Sequence, residues 1–166
     1  ENVKGLVSLG DAKEKIEKLD SMVKERLEGV PLQYVLKEWE FFSLHFYMEK
    51  GVFIPRFDTE SWLEEAILTI RSNFSTQPVM VCDLCCGSGV IGLTVAYWIT
   101  ETQLVAIDRS ELACKLTRKN AQKMGIEERV SVWQSDLFKD IKSHDAIQFD
   151  VILSNPPYVK EEEWLS

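Results

Sequence analysis

Val79-Met80-Val81-Cys82-Asp83-Leu84-Cys85-Cys86-Gly87-Ser88-Gly89-Val90-Ile91-Gly92 is the stretch on which the fold is read. The apolar run from Val79 to Leu84 has the length of a buried strand. Gly87-Ser88-Gly89 breaks it, and an apolar helix is predicted from Ser88 to Trp98. A strand, a glycine-rich turn and a helix in that order bring backbone N–H groups close to a ligand at the helix start. Cys82 and Cys85 form a C-x-x-C by letter. Cys82 falls inside the strand, and His45 and His144 have no zinc-like spacing to the thiols, so small, partly buried, reduced cysteines are expected.

Downstream the same alternation continues. Strands are predicted at residues 103–108, 130–134 and 149–154, and a helix at 110–124 that Gly125 stops. Strands alternating with helices imply an α/β fold, a parallel, doubly wound, Rossmann-like sheet covered on both faces. Upstream, Leu63, Ile67 and Ile70 are the buried stripe of a helix over 59–72, with Asp58 or Thr59 as its cap. Aromatic and β-branched residues over 34–54, with a break at Glu49-Lys50-Gly51, suggest a β-hairpin that Pro55 ends. Ile16, Leu19, Val23 and Leu27 mark an amphipathic helix over 11–28, stopped by Gly29 and Pro31.

The chain has 166 residues, 45% of them hydrophobic and 28% charged, and a net charge of −8. That balance is globular rather than disordered. The acidic sum argues against a surface that grips bare nucleic acid through phosphates. No apolar run reaches the roughly 18–20 residues of a membrane span.

Gly87, Gly89 and Gly92 fit the letters G-x-G-x-x-G, which alone would allow a nicotinamide cofactor. Asp83 tilts the reading, because Asp-x-x-x-Gly-x-Gly is the form used by S-adenosylmethionine (AdoMet) enzymes. Asp108 ends the second strand, where a carboxylate can accept both ribose hydroxyls, or alternatively cap the next helix. Asp136 follows the third strand. It can accept an adenine amino group, with the Leu137 N–H and side chain beside the ring, or it can simply cap a loop. The fourth strand runs into Asn155-Pro156-Pro157-Tyr158. Two prolines fix the backbone just past a strand end, where ligands of open α/β sheets bind. The Asn155 side-chain oxygen and the Pro156 carbonyl can each take one hydrogen of a planar NH2 group, and Tyr158 can stack on it.

With these segments in place, the chain resembles the peptide chain release factor N5-glutamine methyltransferases. The resemblance rests on Gly29-Val30-Pro31-Leu32-Gln33-Tyr34, Ile54-Pro55-Arg56-Phe57-Asp58-Thr59-Glu60, Asp83 to Gly89, Ala106-Ile107-Asp108, Asn120-Ala121, Ser135-Asp136-Leu137-Phe138 and Asn155 to Tyr158. It implies a class I methyltransferase fold and AdoMet as cofactor, held by Asp83, Cys85, Cys86, Gly87, Ser88, Gly89, Asp108, Asp136, Leu137 and Asn155. It implies catalysis by Asn155, Pro156 and Tyr158, which with Pro157 would bind the glutamine of a Gly-Gly-Gln loop. A release factor is then the partner and the cytoplasm the location, with no direct nucleic-acid or membrane binding. An amino-group methyltransferase acting on DNA or RNA shares the Asn-Pro-Pro-Tyr motif. A non-catalytic AdoMet-binding fragment is the third possibility.

Two departures from the family pattern stand out. Cys85 replaces the first glycine of the turn, which costs about 1 kcal/mol or more if its φ is positive. Phe57 replaces a common proline, and Arg56 beside it is expected to salt-bridge the hairpin to the core. Against the family plan the chain is expected to be partial. Residues 1–30 would end a helical substrate-recognition domain, 31–55 form the hairpin linker, and 56–166 begin the methyltransferase domain. It would stop after the fourth strand, leaving that strand's outer edge bare and the isolated piece marginal in stability.

Overall fold

A computed structural model describes residues 9–74, 77–139, 141 and 147–157. Helix α1 spans Leu9–Leu27, followed by a short α2, Leu32–Leu36, and by strands β1, Glu38–Phe41, and β2, Leu44–Tyr47. Helix α3, Asp58–Asn73, leads into the alternating part: β3 Val79–Leu84, α4 Val90–Trp98, β4 Thr102–Asp108, α5 Glu111–Met124, β5 Val130–Gln134 and β6 Val151–Ser154.

The larger sheet is parallel, in the order β5-β4-β3-β6. From β3 the chain passes to β4 and β5 on one side, then returns to place β6 on the other. The direction reverses between β3 and β6, which opens a crevice at their carboxyl ends. Leu84 pairs with Ile107 on one side and Ser154 on the other, so the turn after β3 sits at the centre of that edge. Side chains of β3 alternate between two cores. Val79 and Val81 pack with Leu63, Ile67, Ile70, Leu93 and Leu104 on one face, while Cys82 packs with Val105 and Ile107 on the other. A strand buried on both faces reads as a continuous apolar run, which is why β3 is so clear in the sequence.

The hairpin differs from expectation. Its turn is Phe42-Ser43, not Glu49-Lys50-Gly51, with Phe41 paired to Leu44. Both turn residues have positive φ, 51° and 60°, the two-residue hairpin geometry that normally selects Asn or Gly. Neither is present, so the local signal is missing. The register is set by burial instead: Phe41 and Phe46 are edge to face at 6.2 Å in the main core. Glu49 to Val52 form a separate tight turn, with Gly51 at φ 96°.

Two other expectations shift. Helix α3 carries the predicted buried stripe, but it begins at Asp58 and its cap is Phe57, which gives no side-chain bond. In α1 the apolar stripe Ile16, Leu19, Val23 and Leu27 is exposed rather than packed. The outer side of β6 has no partner strand among the described residues, and Ile152 is 54% exposed there. No helix of the described residues is long and apolar enough to cross a membrane.

Candidate active site

The turn after β3 is held from three directions. From β4, Ile107 C=O accepts the Cys86 N–H at 3.0 Å, and Asp108 Oδ2 accepts the Gly87 N–H at 2.9 Å. From α5, Thr117 Oγ1 donates to the Gly87 carbonyl at 3.1 Å. From within, the Gly89 N–H reaches the Cys86 carbonyl at 2.8 Å. Gly89 has φ 81° and a Cβ there would stand 2.8 Å from both Leu93 Cδ1 and Thr117 Cγ2, so only glycine fits. The space over Gly87 is open: its nearest neighbour would be Val52 Cγ1 at 3.9 Å.

Cys85 does adopt positive φ, 64°, the condition under which its β-carbon is strained. It is half-buried beside β6, where the Ser154 hydroxyl donates to the Leu84 carbonyl at 2.8 Å. The four thiols are free. Burial pushes all of them towards the protonated form, Cys82 up to about 12, so none is set up as a thiolate nucleophile or metal ligand. No group of residues suited to a metal ion occurs among the described residues.

Asp83 lies beneath the turn rather than on its solvent side. It is completely buried; Oδ2 accepts the Gly92 N–H at 2.9 Å, and Oδ1 has no hydrogen-bond partner. Burial raises its carboxyl to about 7, with nearby Asp108 adding to the rise and the Gly92 N–H opposing it. The third glycine of the fingerprint, Gly92, is required here: a Cβ would meet Asp83 Cβ at 2.7 Å and Leu104 Cδ1 at 2.8 Å. That glycine serves close packing of helix on strand, whatever the cofactor.

Asp108 stands half-buried at the end of β4, with Oδ1 accepting the Ser110 N–H at 2.9 Å. The helix cap itself is Ser110, whose Oγ accepts the Ala113 N–H at 3.3 Å. Asp136 is exposed, and an ion pair with Lys139 draws its carboxyl below the usual range. Leu137 beside it has φ 55° and is 47% exposed, an apolar side chain at the rim of the same sheet edge. Asn155, half-buried, and exposed Pro156 and Pro157 follow β6 directly, across the crevice from the glycine turn. Tyr158 lies outside the described residues.

Arg56 makes no ion pair among the described residues, so the expected salt bridge from hairpin to core is not found among them. Helix α5 anchors the hairpin: Lys123 pairs with Glu38, Lys119 and Lys123 sit over the Tyr47 ring, and buried Asn120 bonds the Tyr47 main chain. The signal was available in the helical spacing. Cys114, Thr117 and Asn120 fall on the buried face of α5, and buried polar side chains need partners.

The methyltransferase small domain family matches residues 44–165. A release factor glutamine methyltransferase of Borreliella burgdorferi is 37% identical over 162 residues, 98% of this chain and 52% of its own. One from Escherichia coli is 33% identical over 150 residues, 90% and 51% respectively. The chain thus spans about half the length of the curated relatives it matches. Among solved structures, the Thermus thermophilus 16S rRNA N2 G1207 methyltransferase aligns with TM-score 0.58 at 19% identity, over 74% of this chain and 32% of that one. The amino-terminal domain of human METTL16 aligns with TM-score 0.56 at 20% identity, over 76% and 52%. These two likenesses concern the fold. Sheet order, turn and family match agree: the chain belongs to the methyltransferase small domain family and has the Rossmann-like fold of AdoMet-dependent methyltransferases.

Proposed function

We propose that the protein methylates the side-chain amide nitrogen of the glutamine in the Gly-Gly-Gln motif of a peptide chain release factor, with AdoMet as donor. The observation that carries the reading is the position of Asn155-Pro156-Pro157, immediately past β6 and one strand away from the glycine turn. The names of the relatives support the substrate class.

The residues at the crevice suit AdoMet. The open face of Gly87 admits a ligand against the backbone, and Asp108 supplies a carboxylate for ribose hydroxyls. Leu137 offers apolar surface to an adenine ring. Cys85, Cys86, Ser88 and Gly89 contribute the shape of the turn, and Asp83 holds it from beneath. Asp136 would accept the adenine amino group beside its pairing with Lys139. When bound, AdoMet supplies an electrophilic methyl on a sulfonium.

The protein's own task is to position the other reactant. An amide nitrogen is a poor nucleophile because its lone pair is delocalised into the carbonyl. Asn155 Oδ1 and the Pro156 carbonyl would each accept one amide hydrogen, fixing the nitrogen, and Tyr158 would stack on the amide plane. Orientation of this kind is worth up to about 7–11 kcal/mol of barrier. The two acceptors also grow stronger as positive charge develops on the nitrogen, which would release one proton to water to leave the neutral N-methyl amide. A release factor substrate places the reaction in the cytoplasm.

Incubation of the full-length protein with AdoMet and release factor should add one methyl mass to the peptide bearing the Gly-Gly-Gln glutamine. Asn155→Ala should largely retain AdoMet binding and lose transfer by about a hundredfold or more, the scale on which a lost transition-state acceptor is felt. Methylation of RNA or DNA instead would refute the substrate; unchanged turnover in the variant would refute the role of Asn155.

A further inference from the structure

We propose that Asn120 is a positioning residue that locks the β-hairpin to the glycine turn, so that the two become ordered together. The inference rests on the reading of that turn as the cofactor site, but the lock itself is a matter of geometry.

The Asn120 side chain is fully buried in α5, and its single amide serves two segments of chain. Oδ1 accepts the Tyr47 N–H at 2.7 Å, and Nδ2 donates to the Tyr47 carbonyl at 3.2 Å, so both main-chain groups of the last hairpin residue are held. The same Nδ2 donates to the Ser88 carbonyl at 2.8 Å, in the middle of Gly87-Ser88-Gly89. One acceptor and two donors are required at once. An asparagine amide has both. Aspartate lacks the donors, leucine lacks everything, and serine lacks the reach and number.

The path of the chain beyond Tyr47 gives the lock its importance. Met48 to Ile54 run past the turn: Val52 is the nearest side chain to the open face of Gly87, and it packs on Ala113 and Leu116 of α5. Tyr34 fastens this strap farther along, its hydroxyl donating to the Val52 carbonyl at 2.6 Å. Asn120 holds the start of the strap, Tyr34 its middle, and Thr117, one helical turn before Asn120, holds Gly87. The wall of the crevice and its floor therefore share a support on one helix face. An unsatisfied buried carbonyl is costly, so loosening either segment strains the other.

Amide hydrogen exchange on the full chain tests this. In Asn120→Ala, the N–H groups of Gly87 and Gly89 in the turn and of Met48 in the hairpin should exchange roughly tenfold faster, although none of them bonds to Asn120. Amides of β4 and β5 should keep their wild-type rates. Added S-adenosylhomocysteine should protect both segments in the wild type and only the turn in the variant, with affinity about tenfold weaker. Tyr34→Phe, which removes only the strap's second tie, provides a variant that folds: Val52 should lose protection while Met48 keeps it. Uniform acceleration throughout the chain, or acceleration in one segment alone, would overturn the lock. Failure of the wild type to bind S-adenosylhomocysteine would overturn the cofactor reading instead, and the ligand-free exchange rates would still decide the role of Asn120.

Discussion

Asp83 makes the stability of this fold depend on pH in a direction opposite to that of most carboxylates. Its carboxyl is fully buried, has one hydrogen-bond donor, and titrates near 7 rather than 3.8. Between those two values the folded chain holds a proton that the unfolded chain has released. Stability supplied by the neutral acid is therefore complete below about pH 4 and is lost as pH rises through about 7. Each pH unit of unequal occupancy is worth about 1.4 kcal/mol. The window from about 4 to about 7 sets a ceiling near 4 kcal/mol, a large part of a typical domain's total. Asp83→Asn keeps the shape and the acceptor for the Gly92 N–H but cannot ionise. Urea unfolding of the full chain at half-unit steps from pH 4 to 8 should show wild-type stability falling relative to the variant by up to about 1.4 kcal/mol per pH unit, with the two curves parallel above about 8. Lysines draw Asp136 and Glu111 below their usual ranges, the opposite sense to Asp83, and the two proteins share both pairs, so they cancel in the difference. A constant difference between the two proteins across the window would refute this, because Asp83 would then be ionised in the folded state despite its burial.

The neighbouring glycine and cysteine give two sharper local tests. Gly92→Ala would ordinarily favour a helix by up to about 1 kcal/mol, but the added Cβ collides with Asp83 Cβ at 2.7 Å and Leu104 Cδ1 at 2.8 Å. A net loss of about 1–3 kcal/mol is expected by urea titration, and a stabilised variant would mean that α4 sits too far from β3 for that collision. Cys85→Gly relieves the strain of positive φ, about 1–2 kcal/mol, against about 0.5–1 kcal/mol of glycine entropy. Equal or slightly higher stability is expected, with Cys85→Val clearly lower; a loss above about 1 kcal/mol in the glycine variant would mean that the packing of the half-buried thiol outweighs the backbone strain.

The parallel sheet was legible because each strand is short, apolar and bounded by its own stop: β5 begins and ends where the pattern places it, and Gly125 ends α5 with φ 67°. The hairpin turn was not, because Phe42-Ser43 adopts left-handed geometry without a residue that advertises it. Its strain is offset by Phe41 and Phe46 in a core assembled from α3, β3 and α4, distant in sequence. Asp83 shows the same limit in the site. Its spacing to the glycines marks the motif, but spacing alone does not distinguish a carboxylate facing the crevice from one buried beneath it. Gly92 makes that distinction, through its 2.9 Å bond to Asp83 and the close contact of helix on strand.

That burial changes what the fingerprint means. If the acid of Asp-x-x-x-Gly-x-Gly acts from beneath, the motif describes how a turn is tensioned between a strand and a helix rather than a row of ligand contacts. Asp83 fixes the start of α4 through Gly92, Asp108 fixes Gly87 from β4, and Thr117 fixes the same residue from α5. These supports, with Asn120 on the Ser88 carbonyl beside them, leave the turn few ways to move, which is what a backbone-lined site requires. Cys85 then becomes intelligible as a tolerated departure: with the turn over-determined by its neighbours, the strain at one residue is too small to displace it. The chemistry proposed beyond β6 has a different logic. Asn155 and the two prolines depend on one strand end and on the rigidity of proline, so substitutions there should alter transfer while leaving the turn, and the cofactor it would hold, in place.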